Sequence, residues 1–134
     1  MEIVINKCFG GFGLSPEAEV AVGKRKGYAM ALYKHKDVKQ DIWVKTKKYD
    51  AYTCAYFKAD MGESFCMQER GEYFSYYTLE RNDPDLVAIV KELGTKANGM
   101  CADLAVVEIP DDVKWNIEEY DGSEHIAEDH RTWG

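Results

Sequence analysis

From Ile3 to Lys7, β-branched residues alternate weakly with others, predicting a first strand that stops at the glycine-rich turn Cys8-Phe9-Gly10-Gly11-Phe12-Gly13. A short helix over residues 15–26 follows, with Ser15 as its cap and Pro16 at its first position. Glu17 and Glu19 suit its positive end and Lys24-Arg25-Lys26 its negative end, while Gly27 is placed to close it with a positive φ. The middle of the chain is a series of short aromatic runs between charged or glycine-bearing turns. It reads mostly as strands, at Tyr28 to Tyr33, Asp41 to Lys45, Ala51 to Lys58 and Glu72 to Leu79.

The second helix has the clearest pattern. Asp83 caps it, Pro84 occupies its first position, and Leu86, Val87, Ile89, Val90 and Leu93 form one apolar stripe that needs a sheet to pack on. Gly94 offers one stop and Asn98-Gly99 another, so the C-terminal boundary falls at either, the longer reading being 84–97. Asp103 to Ile109 is apolar on both faces, as expected of a buried central strand, and Pro110-Asp111-Asp112 turns the chain. Asp121-Gly122 is then a type I′ hairpin signal between Val113 to Tyr120 and Ser123 to Arg131. That loop pairs Ile117 with Ile126 on one face, and Glu118 with His125, Lys114 with Asp129 and Asp112 with Arg131 on the other. It also sets Glu119 against Glu124, an unfavourable pair. The expected fold is therefore α+β: one domain over 1–134, with two helices (15–26, 84–97) and an antiparallel sheet ending in a three-stranded meander (103–109, 113–120, 123–131).

Length adds that 134 residues, 46% of them hydrophobic, can bury a core without disulfide or metal support. No stretch approaches the apolar run a membrane span needs, and the first residues lack a basic leader, so the cytosol is the expected location. Cys8, Cys54, Cys66 and Cys101 contain no Cys-x-x-Cys pair and read as free thiols, Cys8 and Cys101 as small buried hydrophobes. The net charge of −7 hides an asymmetry. Residues 24–48 hold nine bases against two acids, and residues 108–131 hold nine acids against two bases.

Three constellations carry candidate chemistry. Gly11, Phe12 and Gly13 stand before a helix start, where free N–H groups attract anions, although the Walker lysine-serine pair and the full dinucleotide fingerprint are both missing. At the C-terminus Arg131 is a fork-shaped donor to phosphate or carboxylate, with His130 and Trp133 near it. Surplus aromatics, Tyr49, Tyr52, Tyr56, Phe57, Tyr73, Phe74, Tyr76 and Tyr77, suit stacking on a base. With Asn98 at the second helix's stop, the candidate ligand-binding set is Gly11, Phe12, Gly13, Asn98, His130, Arg131 and Trp133. No catalytic set, metal or cofactor is expected: His125 and His130 are five apart and face opposite sides of a strand.

Three segments, Ile5 to Ser15, Glu80 to Val87, and Glu108-Ile109-Pro110-Asp111-Asp112 through His130-Arg131-Thr132-Trp133, resemble a family of small proteins encoded by bacteriophages and prophages. The resemblance covers residues 3–18 and 80–133, 70 of 134 positions, and brings no catalytic residue with it. It implies a phage setting, in which proteins of this size often act as counter-defence factors. Sponge proteins that oppose the Thoeris system by sequestering a cyclic ADP-ribose signal are similar in size and in their two-helix, sheet-rich plan, but their binding residues do not map here. The family carries tryptophan where this chain has His125. The expected function is non-catalytic sequestration of a nucleotide-derived signal by a homo-oligomer. The alternative is an acidic inhibitor docked on a basic host defence protein.

Overall fold

A computed structural model of the chain describes residues 1–67 and 72–128. It is mixed α and β, with antiparallel strand pairing throughout the described residues. The chain divides into two compact units, Met1–Val22 with Tyr76–Gly134 and Gly23–Ser75. No helix among the described residues is long and apolar enough to cross a membrane.

In the first unit, β1 (Glu2–Asn6) pairs with β6 (Leu104–Glu108), Ile3 opposite Val107 and Ile5 opposite Ala105. Ile3, Val4, Ile5 and Asn6 are all buried, whereas β6 is half-buried and, among the described residues, has no second strand beside it. The expected meander is thus corrected: the buried strand is β1, and β6 joins it rather than the hairpin. The free edge of β1 is completed without a strand, since Val4 N–H donates to the Arg81 carbonyl at 2.8 Å and Asn6 N–H to Glu124 Oε1 at 2.8 Å. A buried N–H without a partner costs about 1–3 kcal/mol, so these two bonds matter to the strand.

Helix α1 (Pro16–Arg25) begins as its sequence requires: Ala18 N–H donates to Ser15 Oγ at 3.1 Å, and Gly27 stands beyond its end at φ 90°. Helix α2 (Pro84–Leu93) is capped by the Asp83 carboxylate, which accepts from Asp85 and Leu86 N–H, and it packs on β1 and β6 through Leu86, Val87, Ile89 and Val90. Both predicted stops act. Gly94 ends the α-helix, and the chain tightens into one 3-10 turn over Gly94–Ala97 before Asn98. Strands β7 (Trp115–Tyr120) and β8 (Ser123–Glu128) form the hairpin in the expected register, with Ile117 opposite Ile126 and Glu118 opposite His125. Asp121 and Gly122 hold φ 48° and 89°, as a type I′ turn demands. The expected partners Asp129 and Arg131 lie outside the described residues.

The second unit is a four-stranded sheet in the order β4-β2-β3-β5, formed by β2 (Ala31–Asp37), β3 (Ile42–Lys45), β4 (Cys54–Phe57) and β5 (Ser64–Cys66). One face is the core: Tyr33, Phe57 and Phe65 meet edge to face, with ring centroids 4.9 to 5.4 Å apart, and Trp43 and Met61 pack around them. The Tyr33 hydroxyl stays satisfied inside, donating to the Gly62 carbonyl at 2.7 Å and accepting from Met61 N–H at 2.8 Å. The first middle strand starts at Ala31 rather than Tyr28, and Ser64–Cys66 is a strand the sequence did not announce. Glu72 to Leu79 is not a strand: Tyr73 makes one isolated bridge to Phe57, and Tyr76–Thr78 is a 3-10 turn.

Cys8 and Cys101 are exposed, which corrects their expected burial: both sit in turns beyond the ends of β1 and β6. Glu19, on α1, is buried, and burial raises its carboxyl pKa to about 7. The folded state then holds a proton that the unfolded chain releases near pH 4.5, so its contribution to stability is present at low pH and lost as pH rises toward 7. Glu19→Gln mimics the protonated form. It should leave the urea midpoint nearly unchanged below pH 4.5, where both states hold the proton, and raise stability at pH 8 by on the order of 2 kcal/mol.

Candidate functional site

The glycine turn is built into the first unit by backbone contacts. Gly10 N–H donates to the Asp121 carbonyl at 2.9 Å, Gly99 N–H to the Gly13 carbonyl at 2.9 Å, and Ser15 N–H to the Ala97 carbonyl at 2.9 Å. Gly11, Phe12, Gly13 and Asn98 are therefore brought together, with Leu14 bridging to Asn98 and the Asn98 Oδ1 accepting from Leu104 N–H at 2.9 Å. The Phe12 ring carries the Arg81 guanidinium 3.6 Å from its centroid and meets Tyr76 edge-on at 6.0 Å. The N–H groups of Gly10, Ser15, Ala18 and Gly99 are all engaged within the protein. His130, Arg131 and Trp133 lie outside the described residues.

The two described histidines have acidic partners. His125 faces Glu118 at 3.0 Å on the exposed face of the hairpin. His35 lies 2.8 Å from Asp41 and stacks on Trp43 with centroids 4.3 Å apart. Among the described residues, no group of three or more metal-ligating side chains converges.

The second unit offers a different surface. With Tyr33, His35 and Trp43 turned to the core, alternation places Leu32, Lys34, Val44, Tyr56 and Cys54 on the opposite sheet face. The register between β2 and β3 shifts by one between His35 and Asp37, so that Lys36 is the extra residue of a bulge, a feature that re-aims side chains. Lys34, Lys36, Val44, Lys45 and Thr46 line a concavity of about 260 Å³. Lys34 and Lys36 are exposed and have no ion-pair partner among the described residues, while Lys45 is held by Asp60 at 2.8 Å. That bond raises the Lys45 pKa and lowers that of Asp60. On the same face Tyr56 stacks on Tyr49, with centroids 5.8 Å apart and planes 12° from parallel.

Charge follows the division of the chain. The second unit carries 11 bases against 7 acids, a net +4, and the first 6 bases against 17 acids, a net −11. A concavity lined by three lysines, two of them without an ion-pair partner among the described residues, suits an anion. The basic run from Lys24 to Lys48 was visible in the sequence, but the pairing of Lys34 with Lys36 across one concavity was not. It depends on a strand start and a bulge that no local motif marks. In comparisons with protein-family models, with curated proteins and with solved structures, the chain matched none.

Proposed function

We propose that the protein is a non-catalytic binder of an anionic, base-bearing small molecule, held at the open sheet face of the second unit. The observation that carries this reading is the concavity of about 260 Å³ lined by Lys34 and Lys36, neither with an ion-pair partner among the described residues, together with Val44 and Thr46. The Tyr49–Tyr56 stack on the same sheet face offers a surface for a base. The resemblance to phage-encoded proteins extends the proposal to its purpose: sequestration of a cyclic nucleotide or cyclic ADP-ribose type signal as counter-defence.

Native mass spectrometry with a panel of cyclic nucleotides and cyclic ADP-ribose isomers tests the reading, the expected result being a complex with chemically unaltered ligand. Lys34→Glu with Lys36→Glu should weaken that complex at least about tenfold, the loss of roughly 1.4 kcal/mol or more expected when two charge-assisted contacts become repulsive. An unchanged affinity in this variant, with a loss in Arg131→Ala instead, moves the site to the C-terminal set. A chemically converted ligand overturns the non-catalytic reading.

A further inference from the structure

Three loops of the first unit meet at one end. Gly10 N–H bonds the Asp121 carbonyl at 2.9 Å, and Gly10 lies so close to Cys101 that an added Cβ would stand 2.7 Å from the cysteine Cβ. The turn beginning at Cys8 is thereby held between the hairpin tip and the turn at Met100-Cys101. On this end Phe9 is 65% exposed, Tyr120 73% and Met100 93%, with Phe9 meeting Tyr120 edge to face at 6.4 Å. Exposed acids, Glu119, Asp121 and Asp103, flank these side chains, and Lys7 is an exposed base beside them. Clustered apolar side chains with a charged rim mark an interaction surface.

The second unit carries an exposed apolar side chain with basic neighbours. Its β2–β3 turn presents Val38, 78% exposed, between Lys36 and Lys39, both exposed and without an ion-pair partner among the described residues, while the one acid between them, Asp37, accepts from Gln40 N–H at 3.1 Å. Two first units, each at −11, repel, so a contact that pairs like ends is disfavoured, while a first unit against a second unit at +4 is attracted. From this juxtaposition we infer that the Phe9, Met100 and Tyr120 end of one molecule receives the Val38 turn of a second copy, a head-to-tail contact. Such contacts use two different surfaces per molecule and close into rings or run on as filaments.

Sedimentation velocity across a salt series tests this with the protein alone. The wild type is expected to assemble at low ionic strength and to dissociate as salt rises. Phe9→Ser with Tyr120→Ser removes the receiving surface, and Val38→Asp with Lys39→Glu removes the inserted one. Each variant alone should be monomeric, and an equal mixture should form a dimer, because one intact surface of each kind remains. A monomeric wild type at low salt, assembly in either variant alone, or a mixture that stays monomeric overturns the inference. Should Tyr120→Ser disturb the hairpin, Phe9→Ser with Met100→Ser tests the same surface. Val38 and Lys39 do not line the concavity of Lys34 and Lys36, so loss of assembly and loss of ligand are separately observable.

Discussion

Arg81→Met is expected to lower the stability of the first unit by about 3–5 kcal/mol, the cost of leaving a buried charge without its partner. The Glu124 side chain is 5% exposed and accepts from both Arg81 nitrogens, Nη1 at 2.6 Å and Nη2 at 2.8 Å. Its Oε1 also receives Asn6 N–H, so the carboxylate stands where a neighbouring strand would stand beside β1. Asn6 is itself buried and saturated, donating to the Cys8 and Gly122 carbonyls and accepting from Asp103 N–H at 2.8 Å. Removing the guanidinium leaves Glu124 opposite Glu119 with only Asn6 N–H, and strips the cation from the Phe12 ring. Amide hydrogen exchange at Val4 and Asn6 isolates this unit from the other, and urea unfolding gives the total. A loss below about 1 kcal/mol would mean that water replaces the arginine, as at exposed ion pairs. The double variant Arg81→Met with Glu124→Leu should recover part of the loss, because it removes the stranded charge along with its partner.

The same pair shows what the sequence made legible. Elements whose signals are local were readable from residues within one turn of each other: Asp83 and Pro84 for α2, Ser15, Pro16 and Gly27 for α1, and Asp121-Gly122 for the hairpin and its register. Pairing over long separations was not readable. The strand at Leu104 is as apolar as a central strand, but the partner that decides its place is Ile3 to Asn6, about a hundred residues away. Ser64–Cys66 is too short to show a period, and the aromatic run from Tyr73 to Tyr77 has strand-like composition with a turn-like backbone. Arg81 left one trace. The like-charged pair Glu119 and Glu124 in an otherwise complementary hairpin required a counter-ion from elsewhere in the chain, and the structure supplies it. Lys34 and Lys36 left the opposite kind of trace, a basic run conspicuous in composition whose geometry rests on a bulge.

Gly122→Ala should cost roughly 2–5 kcal/mol, combining about 1–2 kcal/mol of left-handed backbone strain with about 1–3 kcal/mol of overpacking. At φ 89° an alanine is strained wherever it sits, but here its Cβ would also fall against backbone, 2.7 Å from Gly10 N and closer still to Gly11 N. A side-chain tip could yield, whereas these atoms belong to a turn already fixed by the Gly10 bond to Asp121 and by the Asn6 bond to the Gly122 carbonyl. Gly27→Ala separates the two contributions. Gly27 holds nearly the same φ, 90°, with open space where its Cβ would go, so it should lose only about 1–2 kcal/mol. If urea midpoints show equal losses for the two variants, the glycine turn gives way without cost, and the loop end that carries Phe9 and Tyr120 is not held rigid by the hairpin tip. If Gly122→Ala loses markedly more, the close approach of the two turns is what fixes that end. Its Phe9 and Tyr120 rings are then presented on a preorganised frame, which lowers the ordering cost of any contact they make.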